Sequence, residues 1–276
     1  MMEEILSVKD LKKYFARGGF SRHKNLVKAV DGVSFSVRKR ETFVIAGGSG
    51  SGKTTTARLI LRAINPDAGT ITFDGVKVTD DSDSLRKIRK ECQMIHQDPY
   101  ASVNPRMTVS DIIREPLDIH GIGNAAEKKR LIIDALHEVK LEPVEEIAKK
   151  YPHMLSGGQR QRVAIARSIV TKPKLVIADE PVSMLDVSVR VGILELMREL
   201  QERLGISFLY ITHDLATARY IGHKIAIMRN GEIVESGPIN DVLFNPKHPY
   251  TKALIDSISD PDPDNFKRDK EINDKD

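Results

Sequence analysis

The chain has 276 residues, 40% hydrophobic and 30% charged, enough for one large domain or two small ones with a real core. No apolar run approaches the roughly 20 residues that cross a bilayer, and a single cysteine, Cys92, excludes both an internal disulfide framework and a self-contained four-cysteine metal site. A formal net charge of +4 is too small to mark a nucleic-acid binder, so nucleic acid is not expected as a partner.

The opening residues Met1–Leu6 lack the basic segment and long apolar core of a secretory signal, which with the lone cysteine points to the cytosol. Residues 5–15 alternate weakly and end in Tyr14-Phe15. Arg17, Arg22, Lys24 and Lys28 then make a basic stretch without acids. It reads as a solvated hairpin loop, with anionic lipid or an acidic partner as the other use. Val33, Phe35 and Val37 alternate with serines, the mark of a half-buried strand.

Next comes the stretch around which the chain is organised. Thr42–Ala46 is a buried-strand run, Gly47–Thr54 reads Gly-Gly-Ser-Gly-Ser-Gly-Lys-Thr, and Thr55–Leu61 is helix-like. Strand, glycine turn and helix is the context that G-x-x-x-x-G-K-[ST] requires. The glycines Gly47, Gly48, Gly50 and Gly52 let backbone N–H groups, with those of Ser49 and Ser51, converge on phosphate oxygens. The helix beginning near Thr55 aims its dipole at the same anion. Lys53 reaches the outer phosphates and the Thr54 hydroxyl serves Mg²⁺. A nearby aromatic can stack on an adenine ring; Phe15 is the first choice and Tyr14 the second, although ordinary sheet packing explains the same spacing.

Residues 70–78 read as a hairpin with a tight Asp74-Gly75 turn. Residues 83–95 run from basic to apolar and lead to His96-Gln97-Asp98-Pro99. Pro99 and Pro105 bracket a loop rich in turn formers. From Thr108 the period becomes helical, most clearly over 125–141. An α-helical subdomain over about residues 98–165, inserted into the sheet domain, is expected.

Leu155–Gln159 reads Leu-Ser-Gly-Gly-Gln before a helix predicted over 160–170. Ser156 can cap it, and Gly157 and Gly158 free backbone amides for a second anion nest. Lys174–Ala178 is a buried parallel-strand run ending in Asp179-Glu180. Acids at that end of a strand lie where α/β proteins hold ligands. Asp179 suits Mg²⁺ and Glu180 suits polarising a water. Ser207–Thr212 is a further buried strand leading to His213, placed to sense a γ-phosphate; Ile225–Val234 is a hairpin turning at Asn230-Gly231. The tail from Asp260 has a disordered composition.

In this order the phosphate loop, Gln97, Leu155–Gln159, Asp179-Glu180 and His213 resemble the nucleotide-binding subunits of ABC transporters, over roughly residues 3–258. The resemblance implies an α/β, P-loop NTPase (RecA-like) core with an N-terminal antiparallel β subdomain. It implies one nucleotide-binding domain over 1–259, followed by a tail at 260–276. Gly47–Thr54 is then the Walker A loop, Gln97 the Q-loop glutamine, Ser156–Gln159 part of the signature, and Ser183–Asp186 a D-loop with Met184 where alanine is usual. ATP and Mg²⁺ are the implied ligands. Catalytic roles fall to Glu180, His213 and Gln97, nucleotide contacts to residues 47–55 and the signature, and metal contacts to Thr54, Gln97 and Asp179.

Residues 28–35, 96–106 and 246–251 narrow the resemblance to the oligopeptide/dipeptide importer branch, and the basic insertion to its second ATPase type. The implied setting is peripheral, at the cytoplasmic face of the cell membrane. The implied partners are two transmembrane permease subunits, a sister ATPase (or a second copy of this chain) and an extracytoplasmic binding protein. That protein, not this subunit, selects among peptide, oligosaccharide or nickel cargo. Many relatives carry a C-terminal cysteine cluster, but no cysteine follows Cys92 here. Thr55–Leu155 has prolines and no sustained heptads, which argues against a chromosome-organising ATPase of the same superfamily.

Overall fold

The computed structural model describes residues 3–16, 26–98 and 103–259. Most of the basic stretch (17–25), part of the loop after Gln97 (99–102) and the tail from Asp260 lie outside the described residues.

β1 (Glu4–Ala16) and β2 (Leu26–Arg38) pair antiparallel along their whole length. The weak alternation of β1 has a cause: a register shift between Val8 and Leu11, with Asp10 at φ 48°, resets the pleat. After β3 (Thr42–Ala46) and α1 (Lys53–Ile60), β4 (Ala68–Phe73) and β5 (Val76–Lys77) complete an antiparallel sheet ordered β2-β1-β4-β5. α2 (Ser82–Glu91) leads into β6 (Cys92–Ile95).

The predicted helical insertion follows as α3 (Val109–Ile119), α4 (Ala125–Glu138) and α5 (Val144–Ile147), with a 3₁₀ turn at Pro152–Met154. α4 stops short of the predicted 141 because Lys140 turns into φ 56°. α6 (Gly157–Ile169) starts three residues before the predicted helix; its cap is Ser156, and both signature glycines lie inside the first turn. β7 (Leu175–Asp179), α7 (Val187–Leu204), β8 (Ser207–Thr212), α8 (Leu215–Ile221), β9 (Lys224–Arg229), β10 (Glu232–Pro238), α9 (Ile239–Phe244) and α10 (Pro249–Ser259) finish the described chain.

The second sheet is ordered β10-β9-β3-β8-β7-β6, with every pair parallel except β10-β9. Both predicted hairpins turn on residues with positive φ: Asp74 and Gly75 at 46° and 77°, Asn230 and Gly231 at 47° and 86°. They nevertheless belong to different sheets. β4-β5 stays in the antiparallel one, whereas β9 crosses to pair with β3 and carries β10 to the edge of the parallel one.

Alternate residues of the parallel strands feed two separate cores. Val44, Val176, Ala178, Phe208 and Tyr210 join the cluster beneath the helices. Phe43, Ile45, Ile177, Leu209 and Ile211 join the cluster shared with the antiparallel sheet. Strands covered on both faces need uninterrupted apolar sequence, which is what β3, β7 and β8 have. Leu209 is fully buried in the second cluster. Leu209→Ala should therefore cost about 2–5 kcal/mol, read as a lower denaturation midpoint in urea.

Candidate active site

Parallel pairing brings the carboxyl ends of four strands to one edge. Ala46 faces Thr212, Ala178 faces Tyr210, and Ile95 faces Ala178. The segments leaving that edge are the phosphate loop after β3, Gln97 after β6, Glu180 after β7 and His213 after β8. They line one cavity of about 1070 Å³, reached also by Leu26–Ala29 of β2 and by Asn230.

The loop's shape depends on glycine at two positions. At Gly52, with φ +105°, an added Cβ would lie 2.1 Å from the Ala29 carbonyl oxygen. At Gly47 it would lie 2.1 Å from the Met228 carbonyl oxygen. Gly52 caps α1 without any side-chain acceptor, so the first-turn amides are left for an anion. Lys53 is 6% exposed and donates to the carbonyls of Gly47, at 2.8 Å, and Gly48, at 2.7 Å. Burial pulls its pKa down, against the attraction of Glu180 and Asp179. Ser51 Oγ is buried with no hydrogen-bond partner, a further polar atom aimed at nothing in the protein.

Thr54 Oγ1 donates to Asp179 Oδ1 at 3.2 Å. Asp179 is 4% exposed, and burial pushes its pKa up; the neighbouring Glu180 charge adds to this, while Thr54 and Lys53 oppose it. A cation beside Asp179 would relieve that cost. The donors are hard oxygens, one hydroxyl and one carboxylate, and among the described residues no group of three or more His, Cys, Asp or Glu forms a protein-only metal cage. That set fits Mg²⁺, which takes one or two protein oxygens and completes its shell with phosphates and water.

Glu180 carries the constellation's strain. It has φ +48°, and its N–H donates to the Ile211 carbonyl at 2.9 Å. Gln97 Nε2 donates to Glu180 Oε2 at 3.1 Å, and His213 Nδ1 lies 3.0 Å from Glu180 Oε1. So Gln97 sits on the carboxylate next to Asp179. The structure draws together Gln97, Gly47–Thr55, Asp179, Glu180 and His213.

It does not bring the signature there. Ser156 Oγ accepts from Gln159 N at 3.2 Å, and Gln159 Oε1 accepts from Ser156 N at 3.0 Å, a complete capping box. A Cβ at Gly158 would meet Val189 Cγ1 at 2.6 Å, so Ser156–Gln159 packs on the start of α7 and no residue of it lines the phosphate-loop cavity. The aromatics are one strand removed from the cavity wall: Tyr14 pairs with Lys28, and Phe15 with Val27. Tyr14 Oη donates to Asp31 at 2.5 Å, and the Phe15 ring is 42% exposed with Lys13 Nζ 5.6 Å from its centre.

Two residues escaped the sequence reading. Arg190 bridges the Leu185 carbonyl, at 3.2 Å, and Asp214, at 3.1 Å, tying the turn after Glu180 to the neighbour of His213. Tyr250 touches the phosphate loop. An arginine four residues into a helix carries no local signal, but Tyr250 stood in a marked segment, 246–251, that spacing alone gave no job.

Residues 30–183 match the family described as ABC transporter. Residues 234–275 match the oligopeptide/dipeptide transporter C-terminal region. The chain is 45% identical over 260 residues to the oligopeptide transport ATP-binding protein AppF of Bacillus subtilis (strain 168), covering 93% of this chain and 78% of that one. It is 45% identical over 269 residues to OppF of the same organism, covering 96% and 85%. Its fold is similar to the dimeric ATP-binding cassette MJ0796 in a post-hydrolysis state bound to ADP and Pi, with TM-score 0.74, 30% identity, and 85% and 98% of the two chains covered. It is also similar to cbiO1 from Clostridium perfringens, part of an ABC transporter complex, with TM-score 0.76, 26% identity, and 88% and 92% covered.

The glycine requirement can be tested directly. Gly52→Ala forces a methyl onto the Ala29 carbonyl at an unfavourable φ. With strain of about 1–3 kcal/mol concentrated in the loop, phosphate binding should weaken by tenfold or more, about the ratio that 1.4 kcal/mol gives. A fluorescent-nucleotide titration, with circular dichroism as the fold control, measures it.

Proposed function

The chain belongs to the ABC transporter family as an ATP-binding, ATP-hydrolysing cassette; on that premise we propose that it powers import of oligopeptides or dipeptides from the cytoplasmic face of a membrane. The observation that carries the reading is the split site. Gly48–Thr55, Gln97, Glu180 and His213 line one cavity, with Thr54 bonded to Asp179, while Ser156–Gln159 is capped outside it.

The roles follow from the geometry. Lys53 leaves the Gly47 and Gly48 carbonyls for the β- and γ-phosphates. The α1 amides hold the same oxygens. Thr54 and Asp179 would hold Mg²⁺, which would offset phosphate charge. Glu180 accepts the proton of a water attacking the γ-phosphorus in line. His213 and Gln97, both on the Glu180 carboxylate, orient it and are placed to exchange that contact for the γ-phosphate and its water. Ser156–Gln159 serves the nucleotide of a second cassette. A dimer is supported by the exposed apolar residues beside the signature, Met184 at 61%, Val187 at 74% and Val191 at 44%. The names of the relatives support peptide cargo and permease partners, and a sister cassette is the preferred second half.

Among the described residues no helix is long and apolar enough to cross a membrane. Coupling therefore needs a groove for a partner. One of about 600 Å³ opens beside Gln97, between β6, α2, α3 and α6, lined by Met94, His96 and Ile119 among others. It is the proposed seat for a cytoplasmic helix of the permease.

Glu180→Gln keeps a hydrogen-bonding side chain of the same shape in the site but removes the base. Hydrolysis should fall by about 10²–10⁴-fold while ATP still binds and a closed dimer accumulates in size-exclusion chromatography. Near-normal turnover would remove Glu180 from its role. Ser156→Arg should spare ATP binding by the lone subunit and abolish hydrolysis by the assembled complex. Equal loss of binding in the monomer would place the signature in its own site and sink the split-site reading.

A further inference from the structure

The C-terminal helix is built onto the phosphate loop. Gly48 N–H donates to Tyr250 Oη at 3.1 Å, and a Cβ at Gly48 would lie 3.2 Å from the same oxygen. The tyrosine is itself fixed from several directions. Glu235 of β10 accepts from Lys247 N at 2.8 Å and His248 N at 3.0 Å, pinning the chain as it enters α10. His248 Nδ1 accepts from Tyr250 N at 3.1 Å. The Arg229 guanidinium lies over the tyrosine ring, 5.0 Å from its centre, at cation–π distance. One and two turns further along α10, Leu254 and Ser257 line the phosphate-loop cavity.

Both backbone groups of Gly48 are engaged, its carbonyl also accepting from Ser51 N at 3.4 Å. Its carbonyl accepts from Lys53 Nζ, a group that must leave when phosphates arrive, and its N–H is held by a tyrosine from outside the loop. We propose that Tyr250 is a positioning residue for the phosphate loop, so that the C-terminal region sets the ATP affinity of the cassette through the Tyr250–Gly48 hydrogen bond. This rests on the reading of Gly47–Thr54 as the phosphate site.

Tyr250→Phe in the full chain keeps the ring and its arginine contact and removes only the acceptor. The Kd for ATP and for ADP, by calorimetry, should rise about two- to tenfold, the worth of one neutral hydrogen bond. KM for ATP should rise in parallel while kcat holds within about twofold. Amide exchange over residues 47–51 should quicken, and the melting temperature should stay put. Tyr250→Ala, which also loses the ring, should add a fall in melting temperature. Lys53→Ala separates the two ideas. If Lys53→Ala loses ATP affinity while Tyr250→Phe binds ATP as well as wild type, or better, the proposal is overturned and the phosphate site stands. If Lys53→Ala binds normally, the phosphate site falls and the proposal with it. An equal drop in kcat and melting temperature for Tyr250→Phe would make the tyrosine a packing residue only, and would also overturn it.

Discussion

The parallel registration of β3, β8, β7 and β6 is the constraint on which the rest depends. Parallel strands end together, so four loops separated by long stretches of chain emerge at one edge. The registration is enforced by burial on both faces. In β3, Val44 and Ala46 belong to one core, Phe43 and Ile45 to the other; β7 and β8 repeat the pattern. A slip by one residue in any of them would exchange every side chain between cores of different shape. The cost of misplacing a catalytic loop is thus borne by dozens of apolar contacts far from the chemistry.

Charge is handled differently. Lys53 and Asp179 are both nearly out of solvent, and burial moves each pKa toward its neutral form. The protein offsets this locally: Lys53 is wrapped by two carbonyls, and Asp179 accepts from Thr54. On the proposed reading ATP would draw Lys53 away from those carbonyls, and Mg²⁺ would engage the Thr54 hydroxyl and the Asp179 carboxylate. Ligand binding is then an exchange of one set of polar contacts for another, not the creation of contacts from empty space. The left-handed backbone of Glu180 belongs to the same economy, since the site fixes its carboxylate between Gln97 and His213 before any substrate arrives.

Much of this was legible in the sequence where chemistry and local structure coincide. Gly47–Thr54 announced itself through its motif, and the structure adds that Gly47 and Gly52 are required by sterics against Met228 and Ala29. β3, β7 and β8 were legible because double burial demands unbroken apolar runs. Ser156 was legible as a cap because its capping box is local. What the sequence did not give away is non-local. The bulge at Asp10 obscured the alternation of β1. The separation of the two hairpins into different sheets depends on β9 pairing with β3, some 180 residues earlier, which no turn signal encodes. α7, the longest helix described, passed unremarked beside the acidic strand because the exposed Val187 and Val191 blur its polar face. Arg190 and Tyr250 act across the fold, and their meaning exists only once the partners are in place.

The split between the two anion-binding loops also carries a thermodynamic argument. Ser156–Gln159 is tied down within the single chain: its cap closes on itself, and Gly158 lies too close to Val189 for a side chain. A preformed loop would lose little entropy on meeting a phosphate. Yet its own nucleotide site is elsewhere, so on the proposed reading that stabilisation is realised only when a second cassette presents its ATP. The triphosphate then bridges two surfaces, each prepared in advance and neither sufficient alone. On that reading the γ-phosphate would span the gap, and its hydrolysis would remove the link between the halves. One group would then both supply the free energy and hold the dimer shut, which is how the proposed site would couple chemistry to motion.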